Sequence, residues 1–101
     1  MKLLIITAIS AFEKEIKQML KQAHVTSYSF KEVTGYKDIS EDGIETNWFA
    51  SEINETQSLL FYAFVKNGNV DTLFDLILKF NEIQKSASKI HVAILNIEKS
   101  N

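Results

Sequence analysis

The residues most able to do chemistry in this chain are its lysines, which carry its only permanent positive charges. All 11 basic residues are lysine, so no planar guanidinium fork is present to hold a phosphate or a carboxylate at two points. An anion site must therefore use lysine ammonium groups or backbone N–H groups. Lys37, Lys85 and Lys89 are the candidates. For each of them the alternative interpretation is an ordinary solvated surface lysine.

Side chains suited to catalysis or to metal binding are sparse. The chain contains no cysteine, which excludes disulfides, thiol catalysis and cysteine-ligated zinc. His24 and His91 lack a ligand spacing such as i, i+4. Acidic pairs such as Glu13 and Glu15 lie on an exposed helix face and do not have the arrangement of a general acid and base. We therefore expect a protein with no enzymatic activity and no metal site.

Length and charge limit the class of protein. The 101 residues have room for one domain with a modest core, spanning residues 1–101. The formal net charge of −2 gives no field strong enough to hold nucleic acid or an anionic membrane surface. A lysine precedes the N-terminal apolar run, as in a signal peptide, but the run is too short to span a bilayer and is explained more simply as a strand. We expect a cytoplasmic protein that is not embedded in a membrane.

Hydrophobic periodicity predicts the element order strand, helix, strand, strand, helix, strand. The first strand is a nearly continuous apolar run over residues 3–9, which is typical of a strand covered on both faces. Ser10 and Glu13 then form a capping box. This motif predicts the start of a surface helix that extends over about residues 11–23.

A period-two pattern predicts the second strand, from Val25 to about Tyr36. Glu32 interrupts the apolar face of this strand, which indicates a bulge or a sheet edge. Gly35 stands at the end of the strand, before a polar segment, and is expected to supply a special backbone angle. The polar segment carries the turn dipeptide Asp42–Gly43 and predicts a projecting connection.

The second half of the chain continues with strand, helix and strand. An almost wholly apolar run over residues 59–65 predicts the third strand. The sequence Asn-Gly-Asn at residues 67–69 predicts a loop, in which Asn69 caps a helix that begins at Val70. The last strand is predicted over residues 89–97. The stripe of this second helix that we expect to be buried consists of Val70, Leu73, Phe74, Ile77, Leu78 and Phe80.

This order of elements predicts an α+β, ferredoxin-like βαββαβ fold, a four-stranded antiparallel sheet with both helices on one face. Two helices can cover only that face. The first, third and fourth strands are nevertheless apolar on both sides, whereas an antiparallel sheet with one face in water would alternate. We therefore expect a homo-oligomer that buries the second face.

Short motifs resemble the PII signal-transduction superfamily along nearly the whole chain. FKEVTGY at residues 30–36 is similar to the family's V-T-E-V-K-G-F-G segment, which precedes a long T-loop. VDT at 70–72 and DLI at 75–77 are similar to its second helix, V-D-T…D-T-I-I. KIHV at 89–92 is similar to its G-K-I-F-V strand.

The resemblance implies a homotrimer whose sheets line a central core. It implies effectors in the clefts between subunits, typically adenine nucleotides (ATP, ADP or AMP), and a T-loop that contacts a partner protein such as a membrane transporter. Residues 37–56 would be the T-loop-like connection. The effector-binding residues implied by the resemblance are Gly35, Tyr36 and Lys37 at the T-loop base and Lys85, Ser86, Ser88 and Lys89 in the B-loop.

Two departures from the family pattern stand out. The family's B-loop, T-G-K-I-G-D-G-K, uses glycines so that backbone N–H groups can approach phosphates, but residues 82–89 contain no glycine. The connection over residues 37–46 is also much shorter than a standard T-loop. These departures indicate a divergent PII-like branch with a different effector or partner.

Two alternatives remain open from the sequence. The same trimer occurs in CutA-like and heavy-metal-efflux-associated proteins, so a metal-binding trimer is the alternative function. Trp48 and Phe49 could provide a stacking surface for an adenine ring or could simply pack in an interface.

Overall fold

The computed structural model describes residues 1–36 and 55–101, and the element order that we predicted is confirmed in it. A short 3₁₀ turn, Ser10–Phe12, joins the first strand to the first helix. The elements are β1 (Lys2–Ile9), α1 (Glu13–Gln22), β2 (Ser29–Tyr36), β3 (Glu55–Val65), α2 (Asn67–Ile83) and β4 (His91–Asn96). Together they form the α+β ferredoxin-like arrangement that the sequence predicted.

The four strands form one antiparallel sheet in the order β2-β3-β1-β4. The two most apolar strands, β1 and β3, lie in the middle. β2 is an edge strand, as the glutamate on its apolar face suggested, but the predicted bulge is absent. Its register with β3 is unbroken from Ser29 opposite Tyr62 to Tyr36 opposite Glu55. An exposed edge needs no bulge to place Glu32 in contact with water.

One face of the sheet packs against both helices and forms the core. Alternate β1 residues, Leu4, Ile6 and Ala8, point to this face and are almost fully buried. Phe61 lies opposite Ile6 on β3 and is also buried. The helices contribute Ile16, Met19, Leu20 and Ala23 from α1 and its end, and Val70, Leu73 and Ile77 from α2.

Aromatic contacts attach the edge strand β2 to this core. Phe30 stacks on Phe61 with ring centroids 4.9 Å apart, and Tyr28 contacts both rings. The Lys17 ammonium lies 4.4 Å from the centre of the Phe30 ring and 2.7 Å from the Glu13 carboxylate. Strand β2 is therefore joined to β3 by aromatic stacking and to helix α1 by a cation–π contact.

The opposite face of the sheet is covered by neither helix and is also apolar. It carries Leu3 and Ile5 of β1, together with their β3 partners Phe64 and Tyr62. Phe64 is 57% exposed and Tyr62 is 46% exposed. Leu95 of β4, paired with Leu3, extends the same surface. We call these five side chains the open apolar face.

Both predicted helix caps are wrong in position. Ser10 belongs to the 3₁₀ turn, and the Glu13 carboxylate accepts a hydrogen bond from Lys17 instead of closing a capping box. Helix α2 begins at Asn67, and the Asn69 N–H donates to the Lys66 carbonyl within the first turn. Because asparagine and glycine are typical turn residues, the composition of residues 67–69 resembles a loop although the helix has already begun.

Element ends and one buried position also differ from the predictions. β2 begins at Ser29 and not at Val25, and β4 is confined to His91–Asn96. The polar residues before Leu59 belong to β3, including Glu55 and Thr56 at the end of the connection predicted over residues 37–56. In α2, Leu78 is 47% exposed, while Leu76 packs against the core in its place. Neither α1 nor α2, the two helices in the described part of the chain, is long and apolar enough to cross a bilayer.

Helix α1 ends on a residue held in the left-handed region. The Val25 N–H donates to the Leu20 carbonyl at 2.9 Å, and the His24 N–H donates to the Lys21 carbonyl at 3.0 Å. This pairing is a Schellman ending, in which glycine is the preferred residue at the position that His24 occupies. His24 has φ +62°, a conformation that a residue with a Cβ adopts at a cost.

We expect His24→Gly to raise the free energy of unfolding by about 1 kcal/mol, because glycine adopts this backbone conformation without strain. His24→Ala is the matched control. It removes the same imidazole but keeps the Cβ, so it should give no gain. Urea unfolding followed by circular dichroism measures both. Equal stability of the two variants would show that His24 does not strain the helix end.

Candidate functional site

The predicted B-loop residues lie in a tight turn between α2 and β4 that is held by its own side chains. The Gln84 amide donates to the Ser88 carbonyl at 2.6 Å and accepts the Ser86 N–H at 2.9 Å. The Ser86 hydroxyl oxygen accepts the Ser88 N–H at 2.8 Å and also contacts the Ser88 carbonyl at 3.3 Å. The polar side chains of Gln84 and Ser86 thus satisfy backbone groups of a turn that contains no glycine.

A second set of contacts joins this turn to the end of α2. Asn81 donates to the Ile90 carbonyl at 2.8 Å and accepts the Ile90 N–H at 2.9 Å, as a neighbouring strand would. The Lys89 ammonium donates to the Asn81 carbonyl at 3.0 Å, in the last turn of α2. A cation at this helix end is favourable, because the free carbonyls carry partial negative charge. Lys89 is therefore engaged within the chain.

Lys85 stands apart from the other predicted B-loop residues. Its side chain is exposed, and within the described residues its ammonium has no hydrogen-bond or ion-pair partner. It lies between Gln84 and Ser86, at the tip of a turn whose shape those two residues fix. This position presents one mobile positive charge on a well-ordered backbone, which suits a single contact with an anion.

The T-loop-base residues lie at the opposite edge of the sheet. Gly35 and Tyr36 end strand β2, where Gly35 is buried and Tyr36 is 62% exposed. No described glycine has a positive φ, so the special backbone angle expected of Gly35 is absent. The unbroken ladder with β3 keeps it extended. Lys37, Trp48 and Phe49 lie outside the described residues.

The two halves of the predicted site are far apart within one chain. Strand β2 ends and β4 begins at the same end of the sheet, but these strands are its two edges. Three interstrand spacings separate them, about 14 Å in all. One molecule the size of a nucleotide phosphate group cannot contact both halves of one chain. A second copy of the chain must supply the other half if both halves form one site.

The two histidines are also separated. His24 ends α1 near Met1, and His91 is paired with Thr7, six residues further along β1. At about 3.3 Å per strand residue, roughly 20 Å lies between them. Among residues 1–36 and 55–101, no three histidine or acidic side chains are grouped as metal ligands. The described residues therefore give no support to the metal-binding alternative.

Another concave region lies at the far end of the sheet. Met1, His24, Thr26, Phe64 and Lys66 are among the residues that line it. None of the predicted effector-binding residues that the structure describes is among its lining residues. Phe64 connects this cleft with the open apolar face.

Gln84 and Asn81, which position the loop, were missed from the sequence. Their signal is weak: amides near a helix end are common and ordinarily face solvent. What distinguishes them is a partner several residues away, at the backbone of Ser88 and Ile90, and only the folded chain shows this.

Comparison with known structures finds the same fold. The chain is similar to CPII, a nitrogen regulatory PII-like protein from Thiomonas intermedia K12 whose structure contains ADP, AMP and bicarbonate. The TM-score is 0.63 at 16% identity, over 99% of this chain and 94% of that chain. It is also similar to a DUF3240 family protein from Shewanella baltica OS155, with a TM-score of 0.65 at 12% identity, over 99% of this chain and 92% of that chain.

Sequence comparison alone finds no match, either to a protein-family model or to a curated protein. The structural similarity extends over nearly the full length of both neighbours. At these identities it establishes the fold. The resemblance to PII-like proteins seen in the short motifs is thus confirmed as a shared fold.

The loop geometry leads to a test of Asn81. We expect Asn81→Asp to lower the free energy of unfolding by about 1–3 kcal/mol, because it removes the donor to the Ile90 carbonyl and places negative charge at a helix C-terminus. Urea unfolding measures the loss, and faster amide exchange at Ile90 locates it. Glu82→Gln, on the exposed neighbouring residue, is the control. Wild-type stability for Asn81→Asp would mean that this contact does not hold the loop.

Proposed function

We propose that this chain is a non-enzymatic, PII-like regulatory protein that acts as a homotrimeric sensor. A small-molecule effector, an adenine nucleotide such as ATP, ADP or AMP, binds in the clefts between subunits. Its binding changes how residues 37–56 engage a partner protein, and a membrane transporter is one candidate for that partner. The proposal rests on the fold together with the placement of the predicted effector-binding residues.

The observation that carries the proposal is the separation of the two half-sites at opposite edges of one sheet. Gly35 and Tyr36 end one edge strand, and the turn with Lys85 precedes the other. Copies arranged in a ring bring unlike edges together, so each contact between neighbours completes one site. The open apolar face supplies the driving force for assembly. Each Å² of apolar surface that is buried contributes about 25 cal/mol to the free energy of association.

The nucleotide class of effector is supported by similarity. CPII, which shares the fold, binds ADP and AMP together with bicarbonate. The exposed Lys85 and the exposed ring of Tyr36 are the kinds of group that contact a phosphate and a base. A regulatory effect further requires that the effector bind two states of the chain with different affinity. Residues 37–56 are the segment proposed to differ between those states.

Assembly is tested by changing the open apolar face. Light scattering of the wild type should give a mass three times the 11.5 kDa of one chain. Tyr62→Asp should shift the mass to that of one chain, because a buried unpaired carboxylate opposes association. Leu78→Asp is the matched control: Leu78 is equally exposed, at 47% against 46%, but lies on a helix.

The Leu78→Asp protein should keep the wild-type mass, and circular dichroism should show both variants folded. A monomeric wild type at micromolar concentration, or a Tyr62→Asp protein with unchanged mass, would contradict the proposed assembly.

Effector binding is tested by thermal denaturation with adenine nucleotides, bicarbonate, copper and zinc. A ligand present at a hundred times its dissociation constant adds about 2.7 kcal/mol to the free energy of unfolding and raises the melting temperature. We expect adenine nucleotides to do so in the wild type but not in monomeric Tyr62→Asp, which lacks complete sites. A shift with copper or zinc and none with any nucleotide would favour the metal-binding trimer instead.

A further inference from the structure

We infer, resting on the function proposed above, that the site selects its effector by charge and prefers a nucleoside monophosphate to the triphosphate. The turn over residues 84–90 carries the inference. Its hydrogen bonds and charges leave room for one phosphate contact and weigh against a long polyphosphate chain.

Two backbone donors of the turn are already occupied. The Ser86 N–H donates to the Gln84 side chain, and the Ser88 N–H donates to the Ser86 hydroxyl. A loop that cradles several phosphates must turn its N–H groups towards the ligand. Here the same groups point to side chains within the turn. A polyphosphate could use them only after those hydrogen bonds were broken.

The positive charge in the turn is also limited. The Lys89 ammonium is held by the Asn81 carbonyl at 3.0 Å, where it offsets the partial negative charge at the end of α2. Lys85 is the remaining lysine of the turn, and it is exposed. One ammonium can pair with one phosphate group. Each further phosphate would bring negative charge with no partner in the turn.

The position of the turn in the fold adds to this effect. It follows the C-terminal end of α2, whose carbonyls repel anions, whereas phosphate sites favour helix N-termini. Glu82, exposed in the last turn of α2, contributes a negative charge of its own. A monophosphate at Lys85 can point its charge away from this helix end. A triphosphate, being longer and more highly charged, meets more of the unfavourable field.

Isothermal titration of the wild-type oligomer with adenosine, AMP, ADP and ATP, without magnesium, tests the inference. We expect AMP to bind about tenfold or more tightly than ATP, with ADP between them, because each unmatched charge costs affinity. Lys85→Met should weaken AMP about tenfold by removing a charge-assisted contact while leaving adenosine affinity unchanged. An effect on AMP alone identifies a phosphate contact, since a structural change would alter both ligands.

A second variant tests the occupied donors. Gln84→Ala combined with Ser86→Gly removes both internal acceptors and frees the Ser86 and Ser88 positions to donate outward. The ratio of ATP affinity to AMP affinity should rise relative to the wild type. Circular dichroism and the measured mass confirm that the variant is folded and assembled.

The outcomes separate this inference from the function on which it rests. Binding of ATP to the wild type as tightly as AMP, or an unchanged AMP affinity in Lys85→Met, would overturn charge selection while leaving an adenine-nucleotide sensor in place. No binding of any of the four ligands to an intact trimer would overturn both.

Discussion

The structure depends on one imbalance: a sheet that is apolar on both faces and only enough helix to cover one of them. β1 and β3 occupy the centre, and the residues of β1 that point to the helices are nearly fully buried. The intervening residues are just as apolar, and their partners Tyr62 and Phe64 remain about half exposed. Because apolar surface of this kind favours association, the property that builds the core also leaves the surface on which the proposed homo-oligomer rests.

That constraint also decides where a ligand site can form. The central strands are covered by helices on one side, and on the other side their own side chains form the open apolar face. Solvent-exposed polar side chains are therefore found at the ends of the two edge strands, where β2 ends and where β4 begins. A site assembled from these two edges requires a neighbouring subunit, so that assembly and ligand binding become linked equilibria.

Much of the fold could be predicted because it depends on periodicity, which is local. The strands and the helices were all predicted from their hydrophobic patterns, and the order of these elements is compatible with only a few sheet topologies. The helix starts were less predictable. A serine or an asparagine just before the apolar stripe of a helix is a typical N-cap, but its position alone does not show where the first turn of the helix begins. Ser10 begins a separate 3₁₀ turn before α1, and Asn69 lies in a first turn of α2 that began at Asn67. Leu78 and Leu76 differ by about half a helical turn, and tertiary packing decides which is buried.

The sequence predicted where the candidate loop lies in the chain but not the contacts within it. The short motifs placed Lys85 and Ser86 in the loop before the last strand, and the shared fold agrees with that placement. What the loop can bind depends on the long-range partners of Gln84, Asn81 and Lys89, which sequence spacing does not show. A loop rich in glycine leaves its N–H groups open to a ligand, whereas this loop uses side chains to occupy the N–H groups of Ser86 and Ser88. Under the proposed function, a fold shared at 12–16% identity keeps the position of this loop while the loop's own side-chain contacts change the charge of the ligand that fits there.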